Sequence, residues 1–216
     1  MKVIEKFLSI NGEGLKSGEL AVFIRFMGCN LRCPYCDTKY SYINPKYEEL
    51  SIDEIVEYIK SCNVFNVTLT GGEPLLQDGI YDLIIKLSNL GYRIELETNG
   101  AIDIKKYVGI KGVVFTLDYK GPSSLMEDKM ILDNYKYLGK NDVVKFVCGD
   151  INDLNRAKEI ILKYRLNEIT NPFLSPMYNE ISLPLMVDFM KDNNLCNTRL
   201  QIQIHKIIWD KDKRGV

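Results

Sequence analysis

Apolar residues recur along this chain with two periods that take turns. Short runs rich in β-branched and aromatic residues appear at Ala21-Val22-Phe23-Ile24-Arg25-Phe26, Val67-Thr68-Leu69-Thr70, Arg93 to Thr98, Gly112 to Leu117, Val143 to Val147, Phe173 to Pro176 and Arg199 to Gln203. Runs of this length and composition read as strands buried in a sheet. Between them, apolar residues fall three and four apart. Ile52, Ile55, Val56 and Ile59 form one such face, Ile80, Leu83, Ile84, Leu87 and Leu90 a second, and Leu154, Ala157, Ile160, Ile161 and Tyr164 a third. These faces predict amphipathic helices, with one more around Leu185 to Met190. Ser51-Ile52-Asp53-Glu54 supplies a capping box for the first helix, and Gly91 a C-terminal stop for the second.

Strands alternating with helices predict right-handed βαβ crossovers and a parallel α/β sheet. Six or seven strands fall short of the eight that close a barrel. In barrels and open α/β sheets alike, active sites form at the carboxyl ends of strands. A cysteine-rich stretch follows the first strand, Gly71-Gly72-Glu73-Pro74 the next and Glu97-Thr98-Asn99-Gly100 the third; Asp118-Tyr119-Lys120 ends the fourth. Motifs distributed this way meet at one rim.

Bulk properties narrow the possibilities. The length of 216 residues suits a single domain over 1–216, and 46% hydrophobic residues suffice for a core. A formal charge of −1 provides no global field for nucleic acid or an anionic membrane. The first residues lack the apolar segment of a signal peptide, and no run of about 18 apolar residues is present to span a bilayer. Six cysteines in such a chain indicate a reducing, cytoplasmic setting.

The chemistry centres on Cys29, Cys33 and Cys36, a C-x3-C-x2-C pattern within eight residues. A structural zinc site takes four soft ligands, and electron-transfer iron–sulfur clusters also take four thiolates. Here three are local. Two readings stay open at this level: half of a zinc site completed by Cys62, Cys148, Cys196 or His205, or a [4Fe–4S] cluster with one iron left open for chemistry. A disulfide framework does not suit a long chain without secretion. Cys62, Cys148 and Cys196 are otherwise expected to be buried structural thiols. Ser9-Ile10-Asn11-Gly12-Glu13-Gly14 reads as a loop, and Arg25 as a lone cation beside the cysteine loop, suited to an anion.

The apolar run leading into the cysteines, Tyr35 before the last of them, and Gly71-Gly72-Glu73-Pro74 after a buried strand resemble the radical S-adenosylmethionine (SAM) enzymes. That resemblance implies an incomplete TIM-like barrel of about six parallel strands. It also implies a [4Fe–4S] cluster on Cys29, Cys33 and Cys36, with SAM on the open iron and a 5′-deoxyadenosyl radical from its cleavage. Further features resemble one branch, the 7-carboxy-7-deazaguanine synthases. They are Asn11-Gly12-Glu13-Gly14, Cys36-Asp37-Thr38, Thr70-Gly71-Gly72-Glu73, Pro122-Ser123-Ser124 and the tail from Gln203-Ile204-His205 to Lys213-Arg214-Gly215-Val216.

The branch converts 6-carboxy-5,6,7,8-tetrahydropterin to 7-carboxy-7-deazaguanine with loss of ammonia, using SAM, the cluster and Mg2+. By resemblance, Tyr35, Asp37, Gly72, Glu73, Glu97, Asp118, Tyr119 and Lys120 contact SAM, and Thr38 binds Mg2+. Ile10, Asn11, Gly12, Glu13, Arg25, Thr70, His205 and Val216 contact substrate. A flavodoxin or ferredoxin as reductant and a homodimer are implied as well. Two departures stand out: Asn11 where many relatives read Gln, and Asp118-Tyr119-Lys120 where many read Ser-Pro-Lys. Two rivals remain, a glycyl-radical activase and a non-catalytic metal module that binds a partner.

Overall fold

The computed structural model describes all residues, Met1 to Val216. Nine strands form one sheet: β1 (Lys2–Ile10), β2 (Leu20–Phe26), β3 (Glu48–Glu49), β4 (Asn66–Gly71), β5 (Arg93–Thr98), β6 (Val113–Tyr119), β7 (Val143–Cys148), β8 (Asn171–Pro176) and β9 (Arg199–Leu200). Their order is β3-β1-β2-β4-β5-β6-β7-β8-β9. Every pair from β2 to β9 is parallel, whereas β1 runs antiparallel to both β2 and β3. The outermost strands β3 and β9 do not pair, so the sheet is an open, partial barrel.

The α-helices are α1 (Ile52–Ser61), α2 (Ile80–Asn89), α3 (Ile151–Lys163), α4 (Leu166–Ile169), α5 (Leu183–Asp192) and α6 (His205–Ile208). The regular alternation expected from the sequence breaks in two places. Between β5 and β6, and between β6 and β7, the chain makes only short 3-10 turns. Those connections still bury Ile104, Tyr107, Tyr135 and Leu138 in the core. Bulky side chains from turns thus cover the sheet where the other connections use a helix. Strand β1 is a further difference. Its mixed sequence lacks the apolar run of a central strand, and it takes in Ser9 and Ile10 from the expected loop.

Strand periodicity makes the sheet two-faced. Val22, Ile24, Phe26, Val67, Leu69, Ile94, Leu96, Phe115, Leu117, Tyr119, Val144 and Phe146 join the helices in one apolar core. The intervening residues of the same strands are Phe23, Arg25, Thr68, Thr70, Glu95, Glu97, Thr116, Asp118 and Lys145. Apart from Phe23, these residues turned away from that core are polar, which the reading of uniformly buried strands did not anticipate. The remaining cysteines also divide: Cys148 is buried, Cys62 partly buried, and Cys196 exposed, contrary to the expectation of three buried thiols.

The capping box on α1 forms as expected. Ser51 Oγ accepts from the Glu54 amide at 3.2 Å, and Glu54 Oε2 accepts from the Ser51 amide at 2.8 Å. Ser51→Ala should lower stability by about 1 kcal/mol. Thermal unfolding would register this as a drop of roughly 2–4 °C for a chain of this size.

Candidate active site

The polar face of the sheet lines a cavity of about 770 Å³. The loop after β2 brings Cys29, Cys33 and Cys36 to its wall. All three are unpaired, and Cys33 is buried. The Leu31 amide donates to Cys29 Sγ at 3.4 Å, and Asn99 Nδ2 lies 3.6 Å from the same sulfur. Three thiols from one short loop facing one cavity suit a multi-iron cluster, whose irons each take their own ligand. The buried Tyr35 hydroxyl beside them has no hydrogen-bond partner, so this wall retains polar capacity for a ligand.

Gly71 and Gly72 serve close backbone approach. A Cβ on Gly72 would lie 2.1 Å from the Gly28 carbonyl oxygen, in the segment leading into the cysteines. The Glu73 amide donates to that same oxygen at 2.8 Å. The Glu73 carboxylate turns inward and is fully buried. Its Oε1 accepts from the Leu75 amide at 3.1 Å and Thr98 Oγ1 at 2.9 Å, and its Oε2 accepts from the Asn99 amide at 2.7 Å. Burial pushes this carboxyl up to about 7 against those three donors. Glu73 thus staples the glycine loop to Thr98-Asn99 and does not line the cavity.

Residues 11–14 lie across the polar face. Asn11 Oδ1 accepts from Thr68 Oγ1 on β4 at 2.9 Å, and Asn11 Nδ2 sits 3.5 Å from Glu95 Oε2 on β5. Glu13 Oε2 accepts from Lys145 Nζ on β7 at 2.7 Å, and Gln203 Nε2 donates to Glu13 Oε1. Gln201 clasps both backbone polar groups of Gly14, at 2.9 and 3.0 Å. The Ile204 amide donates to the Gly12 carbonyl at 3.2 Å. A Cβ on Gly12 would meet His205 Nδ1 at 1.9 Å. Burial lowers the His205 pKa, which keeps the ring neutral at neutral pH. Gly12→Ala should displace His205 and weaken ligand binding while the core stays intact. The expected outcome is a raised KM with little change in the thermal midpoint.

Two charged groupings occupy the remaining wall. Asp118 pairs with Lys120 at 2.6 Å and with Lys145 at 3.2 Å. Arg25 Nε pairs with Glu5 at 2.8 Å, and Glu5 also binds the Tyr40 hydroxyl at 2.9 Å and Arg214 Nε at 2.7 Å. Near Arg25, Thr38 Oγ1 donates to Asp37 Oδ1 at 2.8 Å, with Lys206 Nζ 3.4 Å from the other Asp37 oxygen. The cavity therefore carries mixed charge on both sides, Glu13, Glu97 and Asp118 with Lys120 and Lys145 on one, and Arg25, Lys206 and Arg214 with Glu5 and Asp37 on the other.

Of the residues expected from the sequence, Ile10, Gly12, Glu13, Arg25, Tyr35, Asp37, Thr38, Thr70, Gly72, Glu97, Asp118, Lys120, His205 and Val216 line the cavity with the three cysteines. Asn11, Glu73 and Tyr119 do not. Tyr119 alternates with Asp118 along β6 and so faces the core, where its ring packs 5.3 Å from Phe146 and its hydroxyl accepts from Arg156 Nε at 3.2 Å. Sequence reasoning passed over Lys145, Glu95 and Glu5, and it quoted Asn99 and Gln203 only as parts of motifs. For Lys145 and Glu95 a signal was present, a charge inside an otherwise apolar strand.

The Radical SAM superfamily pattern matches residues 23–124. A protein of Clostridium acetobutylicum named 7-carboxy-7-deazaguanine synthase is 54% identical over 218 residues, covering 100% of this chain and 99% of its own. The chain belongs to the 7-carboxy-7-deazaguanine synthase family. A Leptospira interrogans synthase of the same name is 38% identical across 99% of this chain and 97% of its own. In fold, the chain resembles the crystal structure of QueE from Escherichia coli, with a TM-score of 0.69 and 21% identity over 94% of this chain and 93% of that one.

The superfamily match divides the site of this 7-carboxy-7-deazaguanine synthase family member in two. Residues 23–124 hold Arg25, the three cysteines, Gly72, Glu97, Asp118 and Lys120. Glu13, Lys145, Gln203 and His205 lie outside them. The clasp across the polar face is therefore supplied by residues outside the superfamily match.

Glu95 beneath that clasp is buried, and its Oε1 accepts from Thr116 Oγ1 at 2.5 Å. Burial, reinforced by Glu97, raises it from the ordinary 4.5 to about 7. A folded value above the unfolded one means that the native state holds the extra proton between them. Stability should therefore fall as pH rises from about 4.5 to about 7. Glu95→Gln removes this contribution. Denaturant unfolding at both ends of that window should show a smaller decline in the variant, by an amount on the order of 1–3 kcal/mol.

Proposed function

We propose that this chain converts 6-carboxy-5,6,7,8-tetrahydropterin to 7-carboxy-7-deazaguanine with release of ammonia, as a radical SAM lyase in 7-deazapurine biosynthesis. The observation that carries the reading is the composition of one cavity wall: Glu13 and Arg25 share it with the three cysteines. The pterin's pyrimidine edge presents adjacent N–H donors, which the Glu13 carboxylate accepts. Arg25 spends Nε on Glu5, and its planar fork remains for the substrate carboxylate. Neutral His205, seated on Gly12, closes the substrate side.

On the other side, Cys29, Cys33 and Cys36 hold a [4Fe–4S] cluster, and Gly72, Glu97, Asp118 and Lys120 flank the place for SAM. When bound, the cluster and SAM together supply a hydrogen-abstracting carbon radical. The chain's own task is to hold the pterin against that source, keep its two ends in register and exclude water. Thr38, next to Asp37, offers oxygen to Mg2+, a hard cation that retains waters and takes substrate oxygens. A flavodoxin or ferredoxin as reductant, a homodimeric state and a cytoplasmic location complete the proposal. No helix is long and apolar enough to cross a membrane.

The test is binding selectivity in the cluster-loaded, SAM-bound protein. The carboxylated pterin should bind about 30- to 1000-fold more tightly than its 6-hydroxymethyl counterpart, the range for removing one partner of a buried charge pair. Equal affinity for the two pterins overturns the assignment of Arg25 and of the substrate.

A further inference from the structure

Glu13 belongs to a loop, not a strand, and its side chain has two hydrogen-bond partners, Lys145 and Gln203. Lys145 lies within β7 and pairs in register with Asp118 on β6. Its side chain is 13% exposed, unusual for a lysine within a sheet. The ammonium is fixed between Glu13 Oε2 at 2.7 Å and Asp118 Oδ1 at 3.2 Å. Asp118 is held in turn by Lys120 at 2.6 Å, so it stays neutralised whatever happens at Lys145. The Glu13–Lys145 pair joins residues 132 apart in the chain.

From this geometry we infer that Lys145 is a positioning residue: it fixes the Glu13 carboxylate to receive the paired N–H donors of the pterin edge. The inference rests on the assignment of Glu13 to substrate recognition given above. Lys145 is the better placed of Glu13's two partners for this task. Gln203 is neutral and favours the ionised carboxylate only through its donated N–H, whereas Lys145 adds a full positive charge to its hydrogen bond. Burial raises the Glu13 carboxyl; Lys145 first, with Gln203 adding to it, brings it below the ordinary value.

The other titratable groups facing Glu13 are Asp118 from β6, Glu95 and Glu97 from β5, and His205 from the tail. Three are acidic and one is a neutral imidazole, so no other cation takes over the role. Without Lys145, burial and these acids push Glu13 upward. A protonated Glu13 presents an O–H to a ligand edge that is itself a donor. Substrate binding is then lost as pH falls, a dependence the wild type lacks.

The experiment measures substrate and SAM dissociation constants on cluster-loaded holoenzyme under anaerobic conditions. It compares wild type, Lys145→Met, Lys145→Arg, Glu13→Gln and the Glu13→Gln/Lys145→Met double variant. Lys145→Met should weaken pterin binding at least about tenfold at neutral pH. The loss should grow as pH is lowered, by up to about tenfold per unit. SAM affinity should change less than about threefold, and Lys145→Arg should restore most pterin binding.

The double variant loses one charge of each sign and should bind pterin no more weakly than Glu13→Gln alone, the signature of two residues acting as one. That comparison decides the matter even if Lys145→Met does not fold. Three results overturn the inference: pterin affinity and its pH profile unchanged in Lys145→Met, pterin and SAM affinity falling equally, or a double variant tenfold weaker than Glu13→Gln. Failure of the wild type to bind the pterin overturns the substrate assignment instead.

Discussion

Cys33→Ala yields a folded, colourless protein that neither cleaves SAM nor turns over the pterin. Cys33 is the most enclosed of the three cavity thiols, 8% exposed, at the centre of the loop after β2. With three local thiols and no fourth in the loop, loss of one leaves two irons without a protein ligand. No other cysteine can compensate: Cys148 is buried in the apolar core, Cys62 packs against that core and Cys196 is exposed, and none of the three lines the cavity. The apoprotein should lose only about 1 kcal/mol of stability, the ordinary result of a small core truncation. Iron and sulfide content after anaerobic reconstitution checks the claim, together with SAM cleavage under reductant. A Cys33→Ala protein that retains a full cluster places the ligand set elsewhere.

Arg25→Ala separates the two halves of the site. The expected result is intact cluster assembly and SAM cleavage, now uncoupled from product, with pterin binding weakened by about 2–4 kcal/mol, roughly 30- to 1000-fold. Removing the guanidinium does not strand Glu5, because Arg214 and the Tyr40 hydroxyl still hold that carboxylate. The loss therefore reports on a ligand contact and not on an orphaned buried charge. Arg25→Lys should recover only part of the binding, since an ammonium lacks the planar fork. Parallel assays of 5′-deoxyadenosine and product resolve the outcome. Equal loss of both in Arg25→Ala contradicts the division of labour.

Much of the fold was legible because period and punctuation agree in this chain. The α1 face, its capping box and the Gly91 stop all appear where the pattern placed them. The motifs after β2, β4 and β5 meet because parallel strands deliver their carboxyl ends to one rim. Strand β1 was missed because its Lys2, Glu5 and Lys6 dilute the apolar pattern, although it pairs with both β2 and the short β3. The connections around β6 carried no helical period, and tyrosines on 3-10 turns cover the sheet there.

The site was legible by motif and opaque by contact. Thr68 with Thr70, Glu95 with Glu97 and Thr116 with Asp118 alternate visibly within their strands, yet reading those strands as uniformly buried concealed a polar face. Glu73 illustrates the limit of a motif. Its place in the chain predicts a ligand contact, whereas the structure commits both of its oxygens to Leu75, Thr98 and Asn99. The Glu13–Lys145 pair joins a loop to a strand 132 residues away, and Arg25–Glu5 is a cross-strand pair that depends on the β1–β2 register. No local pattern encodes them.

The most direct test of the account is one anaerobic reaction. The reconstituted protein is mixed with SAM, reductant, Mg2+ and 6-carboxy-5,6,7,8-tetrahydropterin, and the products are separated. The account predicts 7-carboxy-7-deazaguanine in many turnovers per enzyme, with ammonia released in equal amount and SAM not consumed in proportion. SAM cleavage to 5′-deoxyadenosine without any 7-carboxy-7-deazaguanine contradicts it.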